Sequence, residues 1–328
     1  MPQFKVVITD FGEPDTTLEA EVIQSSDLDI ELVRLNARTP EQLFPEVIDA
    51  DALIVQWVKI TRPVIEKLSR CKVISRYGIG VDMVDLAAAT ERGILVCNVP
   101  DYCIEEVSTH TLAFVLALNR HLLIHHAHVH SGKWGGAPGG APSRLVGQVL
   151  GIVGLGRIGR EVARKARGFG LQVVGFDPYL APEAVMGMSV EPVGLEDLLR
   201  RADYVSLHCP LTEETRHLIG PAQLALMKPS AYLINMARGP IVDQAALYQA
   251  LVSGVIKGAA LDVLEQEPPT PDDPLLALDN VILTPHSASW TAEAVAQLRR
   301  ETARNAVSVL EGKLPRSVVN WKDLQKRA

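Results

Sequence analysis

Cysteine is scarce in this chain, positive charge is outweighed, and no long apolar run occurs. Each shortage excludes something. The four cysteines, Cys71, Cys97, Cys103 and Cys209, are scattered over 328 residues with no C-x-x-C pair. That leaves neither a disulfide framework nor a cysteine zinc site, and suits small buried side chains in a reducing compartment. Lys and Arg number 32 against 39 Asp and Glu, a net charge of −7 with no basic run. A nucleic-acid or anionic membrane surface is therefore not expected. No segment approaches the roughly 20 apolar residues of a membrane span, and "MPQFKVVITD" lacks the charged start and apolar core of a signal peptide. A cytoplasmic protein without membrane contact is expected.

What is present is ordinary globular material, 47% hydrophobic and 22% charged. That is enough for a sizeable core, and the length suits two domains. Short β-branched runs alternate with helical patterns throughout, which predicts a mostly parallel α/β architecture. Strands are expected at 6–10, 30–35, 52–56, 72–78 and 94–99, with amphipathic stretches such as "VIEKLSR" and "MVDLAAATERG" between them. From Ile104 to His130 the apolar period predicts one long helix, preceded by a domain boundary. It runs into the only Gly/Pro-rich segment, "SGKWGGAPGGAPS", with loop composition. Six further strands are expected at 149–154, 172–177, 204–209, 232–237, 256–263 and 281–286, the number a doubly wound nucleotide-binding domain requires. The segment "TAEAVAQLRRETARNAVSVLEG" reads as a last long amphipathic helix, and no internal repeat is evident.

Gly154, Gly156 and Gly159 in "GLGRIG" form G-x-G-x-x-G directly after the strand "VLGIV" and before the helical "REVARKARG". In that context glycine permits the tight turn, the close approach of a pyrophosphate and the helix-to-strand packing, while the helix N-terminus offers N–H groups to phosphate. Asp177 ends the next strand, 18 residues past Gly159. A carboxylate there binds ribose hydroxyls and repels a 2′-phosphate, so NAD is expected over NADP.

Arg238, Glu267 and His286 lie at or beyond the carboxyl ends of later strands, where ligands bind in open α/β sheets. An arginine grips a carboxylate with two hydrogen bonds. A histidine exchanges protons near neutrality, and a neighbouring glutamate raises its pKa and fixes its ring. Beside NAD, this set could move a hydride and a proton between an alcohol and a carbonyl next to a carboxylate. Each residue alone has a plain alternative: a surface ion pair, a solvated loop carboxylate, a satisfied core histidine.

Over nearly its whole length the sequence resembles the D-isomer-specific 2-hydroxyacid dehydrogenases. The resemblance rests on "RYGIGVDMVDL", "GILVCNVPDY", "VGQVLGIVGLGRIGREVARKARGFG", "VSLHCPLTEETRHLIG", "MKPSAYLINMARGPIVDQAALYQAL", "GAALDVLEQEP" and "VILTPHSA". It implies two Rossmann-like or flavodoxin-like domains with doubly wound parallel sheets and the active site in the cleft between them. Residues 1–101 plus 291–328 would form the substrate-binding domain and 102–290 the NAD-binding domain. It implies that Arg238 holds the substrate carboxylate, that His286 is the acid/base, and that Glu267 orients it and raises its pKa. Tyr77, Gly78 and Ile79 would complete the carboxylate site. Cofactor contacts would come from the fingerprint glycines with Arg157, Ile158 and Asp177, then from His208, Cys209, Pro210, Thr215, Met236 and Ala237. Asp262 would meet the nicotinamide carboxamide. A homodimer is also implied, with the 104–130 helix as an interface element.

Departures bear on the substrate. Gln56 and Trp57 stand where long phosphoglycerate dehydrogenases carry an arginine for the substrate phosphate. Glu267 in place of glutamine argues against formate dehydrogenase. The passages "ALIVQWVKITRPVIEKL" and "FDPYL" are similar to relatives of the C-terminal-binding-protein corepressors. Those carry a tryptophan three residues beyond the histidine, where this chain has Ser289, with Trp290 one later. The expected activity is reduction of a small 2-keto acid to the D-2-hydroxy acid. The alternative is an NAD(H)-responsive binding protein with incidental turnover. Five histidines lie between His121 and His130, and His121, His125 and His128 share roughly one helical face; a partly solvated helix end is favoured over a metal site, so no metal is expected.

Overall fold

A computed structural model describes residues 2–13, 15–136 and 138–327. The chain divides into two compact units, Met1–Cys103 with Thr291–Ala328, and Ile104–Trp290.

The first unit is built on five parallel strands, β1 (Phe4–Ile8), β2 (Ile30–Arg34), β3 (Ala52–Val55), β4 (Val73–Arg76) and β5 (Leu95–Cys97), in the order β2-β1-β3-β4-β5. That is the flavodoxin-like doubly wound order. β3 and β4 are buried along their whole length, as strands covered on both faces must be. One face packs Val7, Leu53, Val55, Ile74 and Val96 against the helices Arg62–Lys67 and Leu86–Glu91. The other is covered by the long helix Ala292–Leu310, whose Leu298, Ala306, Val309 and Leu310 meet Val6, Ile8 and Ile54. Thr291 caps that helix by accepting from Ala294 N. Arg299, 5% exposed, pairs with fully buried Glu19 at 2.7 Å, and Tyr77 Oη donates to the same carboxylate. Burial and that carboxylate push the Tyr77 hydroxyl well above its ordinary pKa.

The second unit is a seven-stranded parallel sheet, not the six strands expected: β6 (Val149–Val153), β7 (Gln172–Phe176), β8 (Glu191–Pro192), β9 (Tyr204–Leu207), β10 (Tyr232–Asn235), β11 (Gly258–Leu261) and β12 (Val281–Leu283). The added β8 is a two-residue edge, too short to carry a periodic signal. The order β12-β11-β10-β9-β6-β7-β8 reverses direction at β6, the switch point where such sheets open a ligand crevice. Helix Arg157–Arg167 packs Val162, Ala163 and Ala166 inward and leaves its arginines outside.

The single helix expected over 104–130 is two, Ile104–Asn119 and Leu122–His130, bent by 60°. At the bend His121 adopts φ 52°, and its buried ring places Nε2 3.1 Å from Lys257 Nζ. This tertiary contact overrides a helical pattern that contains no Gly or Pro. His121 therefore lies outside the helix that carries His125 and His128. Among the described residues no group of three or more His, Cys, Asp or Glu is placed to hold a metal, and no single helix is long and apolar enough to cross a membrane. In the Gly/Pro-rich segment, Ala137 lies outside the described residues.

Candidate active site

The glycine fingerprint sits between β6 and the helix Arg157–Arg167, at the switch point. Gly154 has φ +92°, and a Cβ on it would lie 2.6 Å from Cys209 N, so the turn after β6 and the turn after β9 touch through backbone. A Cβ on Gly159 would lie 2.1 Å from Gly154 O. Only glycine allows the helix this close to the strand. Gly156 is different: nothing stands within 4 Å of where its Cβ would be. The space above it fits a pyrophosphate approaching the helix N-terminus, beginning at Arg157 and Ile158. Asp177 follows β7 and is held from both sides, Oδ2 accepting from Leu155 N at 2.9 Å and Oδ1 from Tyr179 N at 3.0 Å. An open glycine, a helix N-terminus and a fixed carboxylate are together the donor and acceptor set a dinucleotide needs.

Beyond β9, His208 Nε2 lies 2.8 Å from Ser206 Oγ, and burial drives its pKa down to about 3, so the ring is neutral at pH 7. Burial pushes the Cys209 thiol up to about 11, which keeps it protonated. Thr215 Oγ1 donates to Pro210 O and accepts from Thr212 N, closing the loop that follows. After β10, Asn235 braces the turn that presents Arg238: its Nδ2 donates to Arg238 O and its Oδ1 accepts from Ala237 N, next to Met236. Arg238 Nη1 donates to Ala237 O at 2.7 Å.

The turns after β10, β11 and β12 are neighbours because the strands are, and side chains of the last two meet. His286 Nδ1 lies 2.7 Å from Glu267 Oε2, while Glu267 Oε1 accepts from Leu264 N at 2.9 Å. A carboxylate only accepts, so the proton of this contact resides on Nδ1. Gly239, beside Arg238, packs so tightly on the Leu264–Glu265 peptide that a Cβ would fall 1.9 Å from Leu264 C and O. His286 has φ 52°. Its turn is secured by Asp262: the carbonyl accepts from His286 N, Oδ1 from Ser287 N and Thr284 Oγ1, and Oδ2 from Ala288 N. Both Asp262 oxygens thus hold the His286 turn, a task that the sequence reading, which aimed Asp262 at a nicotinamide, did not assign. Asn235 was missed too; no sequence signal distinguishes it from any strand-end asparagine.

Tyr77, Gly78 and Ile79 lie in the other unit, on the turn after β4. Tyr77 stacks on Phe11 at 4.4 Å, Gly78 has φ +138°, and Ile79 O accepts from Asn98 Nδ2. Beyond β3, Asp10 accepts from the backbone N–H groups of Gln56, Trp57 and Val58, fixing a loop on which Trp57 stands half exposed.

Comparison with known proteins follows the same lines. Residues 112–288 match the NAD binding domain of the D-isomer specific 2-hydroxyacid dehydrogenases. A D-3-phosphoglycerate dehydrogenase of Methanocaldococcus jannaschii is 45% identical over 87% of this chain, which spans only 55% of that relative's length. A glyoxylate reductase of Korarchaeum cryptofilum is 41% identical over 87% of both chains. The crystal structure of D-lactate dehydrogenase from Aquifex aeolicus with NAD and lactic acid is 31% identical, with a TM-score of 0.85 over 94% of this chain and 96% of that one. On this match and these relatives, the chain belongs to the D-isomer-specific 2-hydroxyacid dehydrogenases, a family of NAD-dependent oxidoreductases.

Proposed function

We propose that the protein interconverts a small 2-keto acid and its D-2-hydroxy acid with NAD(H). The observation that carries this reading is the 2.7 Å contact of His286 Nδ1 with Glu267, one strand away from the Arg238 turn. Arg238 grips the substrate carboxylate through its planar fork. Glu267 keeps a proton on Nδ1, so Nε2 is the nitrogen that exchanges: the doubly protonated imidazolium gives its Nε2 proton to the substrate oxygen in reduction, and the neutral Nδ1–H imidazole takes it back in oxidation. Bound NADH supplies the hydride. Tyr77, Gly78 and Ile79, on the turn after β4 of the first unit, are proposed substrate-binding residues. Asp262 is proposed to meet the nicotinamide carboxamide while also holding the His286 turn.

Substrate size is read as small, in the range of glyoxylate, hydroxypyruvate and pyruvate. Gln56 and Trp57 at the place of a phosphate-binding arginine support this. NADH oxidation at 340 nm is measured against those acids, phenylpyruvate, 2-ketoisocaproate and 3-phosphohydroxypyruvate. Turnover of the small acids is expected. Exclusive use of the phosphorylated acid overturns the substrate class, and NADH binding without any turnover overturns the enzyme in favour of an NAD(H)-responsive binding protein.

NAD is preferred to NADP in this reading because the Asp177 carboxylate, held just past the end of β7, would repel a 2′-phosphate. Asp177→Asn keeps an acceptor for Leu155 N while removing the charge. The kcat/KM ratio for NADPH over NADH is expected to rise about tenfold or more, from relief of one close like-charge contact. An unchanged ratio places the discrimination elsewhere. A homodimer belongs to the same reading: helix Leu122–His130 buries none of its side chains, and Leu122, Leu123 and Val129 on it are exposed.

A further inference from the structure

Beside the His286–Glu267 pair lies a second one. His217 Nε2 is 2.7 Å from Glu265 Oε1, only two residues before Glu267. Each end of this pair is anchored to a different part of the site. On the His217 side, His217 N donates to Pro240 O, and Ile219 forms a parallel bridge with Val242. That strap runs along the turn beginning at Arg238. On the Glu265 side, Glu265 N donates to Gln244 Oε1, Gln244 N to Glu265 Oε1, and Gln244 Nε2 to Asp273 Oδ2. Asp273 is itself fixed, capping the short helix Pro274–Ala277 through Leu275 N. Between the two ends lies the Gly239 contact with the Leu264–Glu265 peptide, and Leu264 N donates to Glu267.

Four described non-glycine residues have positive φ, and His217 (51°) and His286 (52°) are two of them. Such a conformation is unfavourable for an L residue and persists where the surroundings impose it. The His217 and Glu265 side chains are 47% and 34% exposed. An exposed pair adds little to global stability, so any effect on the site is not a by-product of holding the fold.

We propose that His217 and Glu265, backed by Gln244 and Asp273, form a positioning clamp that holds the Leu264–Glu267 segment against the Arg238 turn and thereby keeps Glu267 on His286 Nδ1. In this role His217 acts through Glu267. The proposal rests on the assignment of Glu267 and His286 made above, and its decisive readout does not need turnover.

His217→Leu and Glu265→Leu break the contact, whereas His217→Gln and Glu265→Gln keep a donor and an acceptor. At a pH where the imidazole is neutral, 15N NMR of histidine-labelled protein reports which ring nitrogen of His286 carries the proton, the signal being assigned by its loss in His286→Asn. Wild type and both glutamine variants are expected to hold the proton on Nδ1. Both leucine variants are expected to move toward the Nε2–H form, by half or more of the displacement seen in Glu267→Ala, with melting temperatures within about 3 °C of wild type. Their kcat should fall about tenfold at nearly constant KM, as when a catalytic group is slightly misplaced. If a leucine variant does not fold, Gln244→Leu loosens the clamp from its far end and is read the same way. A leucine variant that leaves the His286 proton on Nδ1 overturns the clamp, whatever its stability. A wild type that turns over no keto acid overturns the enzyme reading instead, and the tautomer comparison still decides the clamp.

Discussion

His286→Asn should lower kcat for keto-acid reduction by about a thousandfold, within the range a single positioned acid/base supplies, while NADH affinity and keto-acid KM change by only about threefold or less. Asparagine is the replacement of choice because His286 occupies the left-handed region at φ 52°, which asparagine tolerates better than alanine. The backbone of the turn is held independently of the ring: His286 N donates to Asp262 O, and Ser287 N and Ala288 N donate to the Asp262 carboxylate. Removing the imidazole therefore takes away the proton donor without unmaking the turn. Single-turnover reduction with saturating NADH separates the chemical step from product release. A rate within about threefold of wild type would remove His286 from the mechanism, since that is far below what an acid/base contributes.

Much of the fold was legible because the periodic signals were strong. Strand after strand was expected within a few residues of where it lies, for example 149–154 against Val149–Val153. The strands end earlier than their apolar runs because sheet pairing stops where the chain turns into the site, as at Gly78 with φ +138° and Gly154 with φ +92°. The apolar pattern continues for packing, and hydrogen bonding does not follow it. The long helix was misread for the opposite reason: local propensity was continuous across Arg120 and His121, but burial of the His121 ring beside Lys257 imposed a bend.

The site divides similarly. The glycine fingerprint, Arg238, Glu267 and His286 could be placed on strand ends from spacing and chemistry. What spacing could not show is which side chains serve others. Asp262 is expected to be a ligand contact, and no spacing shows that its two oxygens also accept from the turn that carries His286. His217 lies within "VSLHCPLTEETRHLIG" and Glu265 within "GAALDVLEQEP", but nothing in either stretch says that the two side chains meet. Glu265 is 48 residues from His217, and the two are brought together by the packing of Gly239 on Leu264, the His217 N bond to Pro240 O and the Gln244–Glu265 bonds.

Arg238→Gln should act on the other half of the reaction. Truncating one partner of a close, hydrogen-bonded charge pair costs about 2 to 5 kcal/mol. A fall in kcat/KM of about a hundred- to a thousandfold follows, carried mostly by KM. The guanidinium is one of several supports of this turn: besides its bond to Ala237 O, Asn235 binds both Arg238 O and Ala237 N, and Gly239 is locked against Leu264. The variant should therefore fold and bind NADH as wild type does. The specific test compares a 2-keto acid with its methyl ester, which keeps the reacting carbonyl and loses the anion. Wild type should strongly prefer the acid, since the planar fork is matched to a carboxylate. In Arg238→Gln that preference should collapse to about tenfold or less, because a neutral amide has no charge with which to favour the anion. If selectivity for the acid survives, the carboxylate is held by other groups, and the Arg238 fork serves the turn it stands on instead of the substrate.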